Sequence, residues 1–268
     1  MTETPTQVDE AAVTEAAARL REAAAGRRPV PPVRELIGRD DVAAAYAVQQ
    51  LNVRARLDAG ATVVGRKIGL TSPAVQAQIG VDQPDFGVLF DDMAYADGDT
   101  IPVDAVLQPK VEAEVAFVLK EDLAVGELDH EQVRGAIDHA VAAIEVCGSR
   151  VADWDISFGD TVADNASAGV YVLGAERRTL DEVEPAEVTM SMTVDGEVVS
   201  TGNGAACLGD PLNAVVWLAR TARELGEPLR AGQVVLSGAL GPMRVVHPGA
   251  DVTVTISGLG SVSASFSA

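Results

Sequence analysis

"QPKVEAEVAFVL", residues 108–119, is the stretch on which the reading of this chain turns. Val111, Ala113, Val115 and Phe117 alternate with Glu112, Glu114, Ala116 and Val118, which is the period of a β-strand. One face is wholly apolar. The other opens with two glutamates and then turns apolar, so two like charges share a face that runs on into a core. A solvated stripe on a sheet edge is the plain explanation of such a pair, but an edge stripe would stay polar. "HAVAAIEVCG" (139–148) adds a third carboxylate, Glu145, as the single charge in an otherwise buried-looking run. An ionised carboxylate there is costly without a partner. It either meets an arginine or shares a cation with the other two. Three carboxylates with no nearby His or Cys ligand would form a hard oxygen site, which suits Mg²⁺ or Mn²⁺ better than zinc or copper.

Outward from this strand, the texture differs on its two sides. Residues 9–25 are Ala-rich and read as a helix ended by Gly26, and "RRPVPPV" (27–33) must be extended because its prolines cannot continue a helix. Residues 40–59 read as a second helix, capped by an aspartate and stopped by Gly60. Beyond them, "ATVVGRKIGL" (61–70) reads as a strand and "VTMSMTVDGEVVST" (188–201) as a hairpin turning at Asp195-Gly196. A helix is expected over 210–225, with Asp210 as its cap, Pro211 in its first turn and Gly226 after its end. "ADVTVTISGLGSVSASF" (250–266) predicts a second hairpin. Helices early and strands late are not the alternation of a doubly wound sheet. The expectation is an α+β protein, with an N-terminal helical segment over 1–62 and a β-rich part over 63–268.

Composition narrows the function classes. The 268 residues carry 40 acidic and 20 basic side chains, a formal charge of −20. Such a surface repels phosphate backbones and anionic lipid, so neither nucleic acid nor membrane is an expected partner. "MTETPTQVDEAA" lacks the basic start of a signal peptide, and no apolar run approaches the ~20 residues of a membrane span. Cys147 and Cys207 form neither a zinc framework nor a disulfide scaffold. A cytoplasmic protein is expected. There is no P-loop, and "GNGAACLG" (202–209) lacks the strand and acidic residue of a dinucleotide fold.

Four blocks, "GRKIGLTSPAVQAQIGVDQPDFGVLFDDM" (65–93), "QPKVEAEVAFVL" (108–119), "AIEVCGSR" (143–150) and "DTVADNASAG" (160–169), together resemble the 2-keto-4-pentenoate hydratase family of the fumarylacetoacetate hydrolase-like group. The likeness continues through "LSGALGPMRVVHPGADVTV" (236–254) and "GLGSVSASF" (258–266), so it covers nearly all of the chain past residue 40. It implies a fumarylacetoacetate hydrolase-like catalytic domain of mixed sheets. It also implies one Mg²⁺ or Mn²⁺ held by Glu112, Glu114 and Glu145. Lys67, one of three lysines against 17 arginines, falls on the family's lysine. Gly65 and Gly69 flank it on the same face and would leave room for a ligand beside the ammonium. Asp85 takes the place of an active-site aspartate able to transfer a proton, and Ser167 and Gln108 are assigned to substrate binding. His247 is expected in a turn, and His130 and His139 on a helix in structural or solvated roles.

The reaction implied is hydration of 2-hydroxypenta-2,4-dienoate, or a close homologue, to a 4-hydroxy-2-oxo acid. The resemblance further implies a homo-oligomer able to associate with another enzyme of its pathway. Three alternatives stay open. A 4-oxalocrotonate decarboxylase would share the same carboxylates and lysine. An acylpyruvate-type C–C hydrolase usually needs a histidine on an N-terminal lid, and no histidine precedes residue 130. A non-catalytic partner protein would be expected to have lost part of this residue set.

Overall fold

The computed structural model describes residues 9–268, apart from the side chains of residues 74, 78 and 79. Asp9 caps α1 (Glu10–Gly26) by accepting from the amides of Ala11 and Ala12, and Arg27 closes it in a left-handed conformation. A single turn, α2 (Arg34–Ile37), leads to α3 (Val42–Asp58), capped by Asp41. Helices α1 and α3 are the two expected from the sequence. Then come β1 (Val63–Gly69), α4 (Pro73–Ile79), β2 (Asp85–Phe90), β3 (Ala94–Tyr95) and β4 (Thr100–Ile101). The middle of the chain forms β5 (Lys110–Leu119), α5 (His130–Ala136), β6 (Ile137–Cys147), α6 (Phe158–Ala163) and β7 (Val170–Leu173). The first expected hairpin is β8 (Thr189–Val194) with β9 (Glu197–Asn203), followed by α7 (Pro211–Glu224). Strands β10 (Val234–Ala239), β11 (Arg244–Val245), β12 (Asp251–Ile256) and β13 (Gly260–Phe266) complete the fold, the last two forming the second hairpin.

The larger sheet has the order β2–β1–β10–β5–β6–β7–β3, with β11 paired to the start of β5. Its β1/β10 and β3/β7 pairs are parallel and its other neighbours antiparallel, so the sheet is mixed. The second sheet, β4–β13–β12–β8–β9, lays β12 and β13 against β6. Val111, Ala113, Val115 and Phe117, the apolar face of β5, join one core with Val252, Val254 and Val262 of the second sheet. Ala16, Leu20, Tyr46 and Val48 of α1 and α3 belong to the same core. The helical segment therefore packs into the same core as the sheets. Each large side chain buried here contributes ~1.5–3 kcal/mol, which is what lets the opposite face of β5 carry buried ionisable groups.

One local expectation fails. The helix expected to carry both His130 and His139 ends at Ala136, and the chain passes straight into β6, where His139 lies. Pairing of β6 with β5 from Cys147 back to Ile137 overrides the helical preference of its alanines. His130 is on α5, 3.2 Å from Asp210. His247 lies in a turn as expected, its ring bridging Pro248 O and Asp195 Oδ2. Among the described residues no helix is long and apolar enough to cross a membrane.

Candidate active site

Antiparallel pairing sets Glu112 of β5 directly opposite Glu145 of β6, and Glu114 opposite Ala143. All three carboxylates thus stand on one sheet face, with residue exposures of 6%, 0% and 1% for Glu112, Glu114 and Glu145. Gly238 donates its amide to Glu114 Oε2 at 2.7 Å. Glu114 Oε1 and both oxygens of Glu145 have no hydrogen-bond donor. An oxygen without a hydrogen-bond donor carries a desolvation cost, which a proton or a cation can relieve. Cys147 Sγ donates to Glu112 Oε1 at 3.2 Å. This corrects the expectation of a cluster with no cysteine nearby, because the period of two that aligns Glu145 also brings Cys147 to that face.

Lys67 reaches the cluster from β1. Its Nζ lies 3.3 Å from Glu145 Oε1 and donates to Ala166 O at 3.0 Å. In the β1/β2 pair Asp85 is opposite Gly69. A Cβ on Gly69 would lie 2.2 Å from Asp85 Oδ1 and 3.5 Å from Lys67 Nζ, so the two functional groups converge over that glycine. A Cβ on Gly65 would lie 2.1 Å from the carbonyl oxygen of Val234. The space expected beside Lys67 for a ligand is therefore taken by Asp85 at one glycine and by the β10 backbone at the other. Thr161 of α6 donates to Asp85 Oδ2 at 3.1 Å, and its hydroxyl is 3.4 Å from Ser167 Oγ. Ser167 thus joins the edge of the network.

The loop carrying Ser167 is strained. Asn165, Ala166 and Ser167 have φ of 56°, 50° and 56°, a left-handed run that costs ~1–3 kcal/mol per residue. It persists because the Asn165 side chain hydrogen-bonds both the amide and the carbonyl of Val88, while Lys67 holds the Ala166 carbonyl. Gln108 is placed differently. Its Nε2 donates to the carbonyls of Ser149 and Val151, and its Oε1 accepts from the amide of Asp153. The amide is spent on fixing the 149–153 loop, and the structure does not bring it into the carboxylate cluster.

Electrostatics follow from burial. Burial raises Glu114 well above the ordinary carboxylate range, and the neighbouring Glu145 and Glu112 push the same way. Glu145 is pushed up to about 7 by burial, with Lys67 pulling against it. Burial also raises Asp85, opposed by Lys67 and the Thr161 hydroxyl. For Lys67 burial favours the neutral amine, but Glu145, Cys147, Glu112 and Asp85 together outweigh it, and the ammonium is held well above its usual range. Burial and the two glutamates keep Cys147 a thiol. One ammonium faces several crowded carboxyl groups with orphaned oxygens. That donor set fits a divalent cation that prefers hard oxygen ligands.

The fumarylacetoacetate (FAA) hydrolase C-terminal family matches residues 62–267. The 2-keto-4-pentenoate hydratase of Paraburkholderia xenovorans (strain LB400) is 52% identical over 98% of this chain and 96% of its own. The TodF product hydratase of Pseudomonas putida (strain F1) is 55% identical over 95% of each chain. The chain belongs to the 2-keto-4-pentenoate hydratase family, within the fumarylacetoacetate hydrolase-like group. Among solved structures, the 4-oxalocrotonate decarboxylase from Pseudomonas putida G7, complexed with magnesium and adipate, superposes with a TM-score of 0.90. It is 35% identical over 99% of this chain and 100% of that one. The α+β fold with mixed sheets expected from the sequence is the fold of this family. In this hydratase-family member the sequence reading missed Thr161, Asn165 and Cys147. Thr161 and Asn165 lie in the quoted "DTVADNASAG" block, where a hydroxyl and an amide in a stretch of small residues were the available sign. Cys147 sits two residues after Glu145.

Proposed function

We propose that the protein is a metal-dependent hydratase that adds water to 2-hydroxypenta-2,4-dienoate or a close homologue and releases a 4-hydroxy-2-oxo acid. The observation that carries this reading is the buried face of Glu112, Glu114 and Glu145, short of hydrogen-bond donors and met by the buried Lys67 ammonium. Relatives above 50% identity named as hydratases support the same reaction.

Glu112, Glu114 and Glu145 would hold Mg²⁺ or Mn²⁺. Such an ion, when bound, supplies Lewis acidity towards the substrate's carboxylate and its 2-oxygen. The chain's own groups account for the rest. Lys67, locked by Ala166 O and Glu145, presents a fixed positive charge to the negative charge that develops on the 2-oxygen. Asp85, beside Lys67, accepts the proton of the dienol hydroxyl and returns a proton to carbon 5, which leaves an α,β-unsaturated 2-oxo acid. Water then adds across the new double bond, its oxygen to carbon 4 and a proton to carbon 3. Thr161, whose hydroxyl also meets Ser167 Oγ, keeps the Asp85 carboxylate oriented during both transfers. Leu236, Ala116 and Val141, buried on the same sheet face, keep bulk water away from the enolate.

The 4-oxalocrotonate decarboxylase likeness favours a second reading, because decarboxylation of a 2-oxo acid also develops charge on the 2-oxygen and would use the same residues. Purified protein assayed with 2-hydroxypenta-2,4-dienoate and with 4-oxalocrotonate separates the two. Formation of 4-hydroxy-2-oxopentanoate, abolished by chelation, supports the hydratase; dominant CO₂ release from 4-oxalocrotonate would move the assignment to the decarboxylase. In either case Glu145→Gln and Glu112→Gln should lower Mg²⁺ affinity by ~10²-fold or more in calorimetry, because removing a direct ligand exceeds the ~10–100-fold typical of outer-shell changes. The same proposal places the protein in the cytoplasm as a homo-oligomer that can associate with another enzyme of its pathway. Exposed Val198 and Val245 offer apolar surface that supports self-association. Sedimentation at a monomer mass would remove the homo-oligomer.

A further inference from the structure

The carboxylate cluster carries one ligand atom that the oxygen-only donor set does not use. Glu112, Glu145 and Cys147 each offer a ligand atom, and these atoms all lie within 4.8 Å of one another. All three residues are buried. Glu112 and Glu145 are directly opposed across β5 and β6, and Cys147 stands two residues on from Glu145, opposite Lys110. The thiol already points at the pair, 3.2 Å from Glu112 Oε1. Glu114 is set apart by the Gly238 amide on its Oε2. Cys207, the other buried thiol, instead donates to Ser237 O at 3.1 Å and is not among the three.

We propose that Glu112, Glu145 and Cys147 form an alternative coordination set that takes thiophilic divalent cations, Zn²⁺, Cd²⁺ or Co²⁺, in competition with the hard ion. It goes beyond the hydratase reading and rests on it only in taking the acidic face to be a cation site. Two oxygens and one sulfur suit borderline and soft ions, whereas Mg²⁺ gains nothing from sulfur. On binding, the Cys147 S–H bond breaks, a sulfur–metal bond forms, and the proton is released to solvent, which leaves the Glu112 carboxylate ionised and free to ligate. No electron changes hands. An ion held by this set leaves Glu114 out of its ligand shell, so a soft metal traps the protein in a form unlike the one loaded with Mg²⁺.

The test uses full-length protein stripped with chelator and titrated with Co²⁺ alone, followed by absorption spectroscopy. Wild type is expected to develop a near-ultraviolet thiolate-to-cobalt charge-transfer band. Cys147→Ser should lose that band, with Cys147→Ala as the alternative if the serine variant does not fold, and Cys207→Ser should keep it. Calorimetry should show Zn²⁺ affinity falling ~10²-fold or more in Cys147→Ser, because a direct ligand is lost rather than an outer-shell partner, while Mg²⁺ binding persists and reports that the fold is intact. Cobalt bound with its ligand-field bands but no thiolate band would overturn the alternative set and leave the hard-cation site standing. No cobalt binding at all would overturn both.

Discussion

At the scale of single residues, Thr161 is the least conspicuous member of the network and the most informative. Its hydroxyl is a donor to a buried carboxylate that burial already pushes towards its neutral form. Removing the donor raises the Asp85 pKa further, because the hydrogen bond favours the charged form. Thr161→Val should therefore lower kcat by roughly tenfold, the ~1–3 kcal/mol of an unsatisfied buried acceptor. It should also shift the acid limb of the kcat/KM profile to higher pH. Thr161→Ser should restore both. A valine variant with lowered kcat but an unmoved acid limb would mean that Thr161 only fills its buried place in α6 and does not position the aspartate. Lys67 shows how far sequence could point from a group to its partners. Its rarity, its glycine neighbours and a pairing with Asp85 were open to the sequence, but its contacts with Glu145 and the Ala166 carbonyl depend on strand register and loop packing, which no local pattern encodes.

At the scale of elements, β1 carries two glycines that do different work. At Gly65 an added methyl meets backbone, the Val234 carbonyl of the paired strand, and backbone cannot step aside. Gly65→Ala should separate β1 from β10 and lower stability by ~1–3 kcal/mol or more, read as an earlier urea midpoint. At Gly69 the methyl meets the Asp85 carboxylate, a side chain that can rotate away. Gly69→Ala should leave the urea midpoint nearer to wild type yet cut turnover more than tenfold, because Asp85 then loses its place beside Lys67. The opposite ranking would mean that Asp85 is a structural carboxylate. Elements with strong local marks were legible: α3 and α7 announced their capping aspartates, α1 its alanine-rich run, and the two hairpins their turns. β5 was legible because its alternation is clean. β6 was not, because its alanine-rich run favours a helix locally and becomes a strand only through pairing with β5. Gln108 drew notice for standing beside the glutamate strand, but its left-handed backbone and three loop hydrogen bonds are tertiary facts.

At the scale of the whole molecule, the cluster links stability to pH and to metal. Glu145 has an ordinary value of 4.5 and is pushed to about 7 in the fold, while Glu114 and Asp85 are raised in the same direction. In the cation-free protein the folded state therefore holds protons that the unfolded chain has already released. Stability must fall as pH rises from about 4.5 through about 7, since the folded state binds more protons over that window. A divalent cation takes the place of those protons and removes the penalty. Exposed acids held low by local hydrogen bonds, such as Asp195 and Glu182, act in the opposite sense but equally with and without metal. The quantity to follow is thus the gap in Tm between Mg²⁺-loaded and chelator-treated protein. It should widen between pH 5 and 7.5 by on the order of 5 °C, the size expected for a few kcal/mol in a chain of this length. Glu145→Gln, which has no proton to lose, should flatten the chelator curve and narrow the gap. A gap that stays constant across that range would mean that the buried carboxylates keep the same protons with or without the ion, and the acidic face would lose its standing as a cation site.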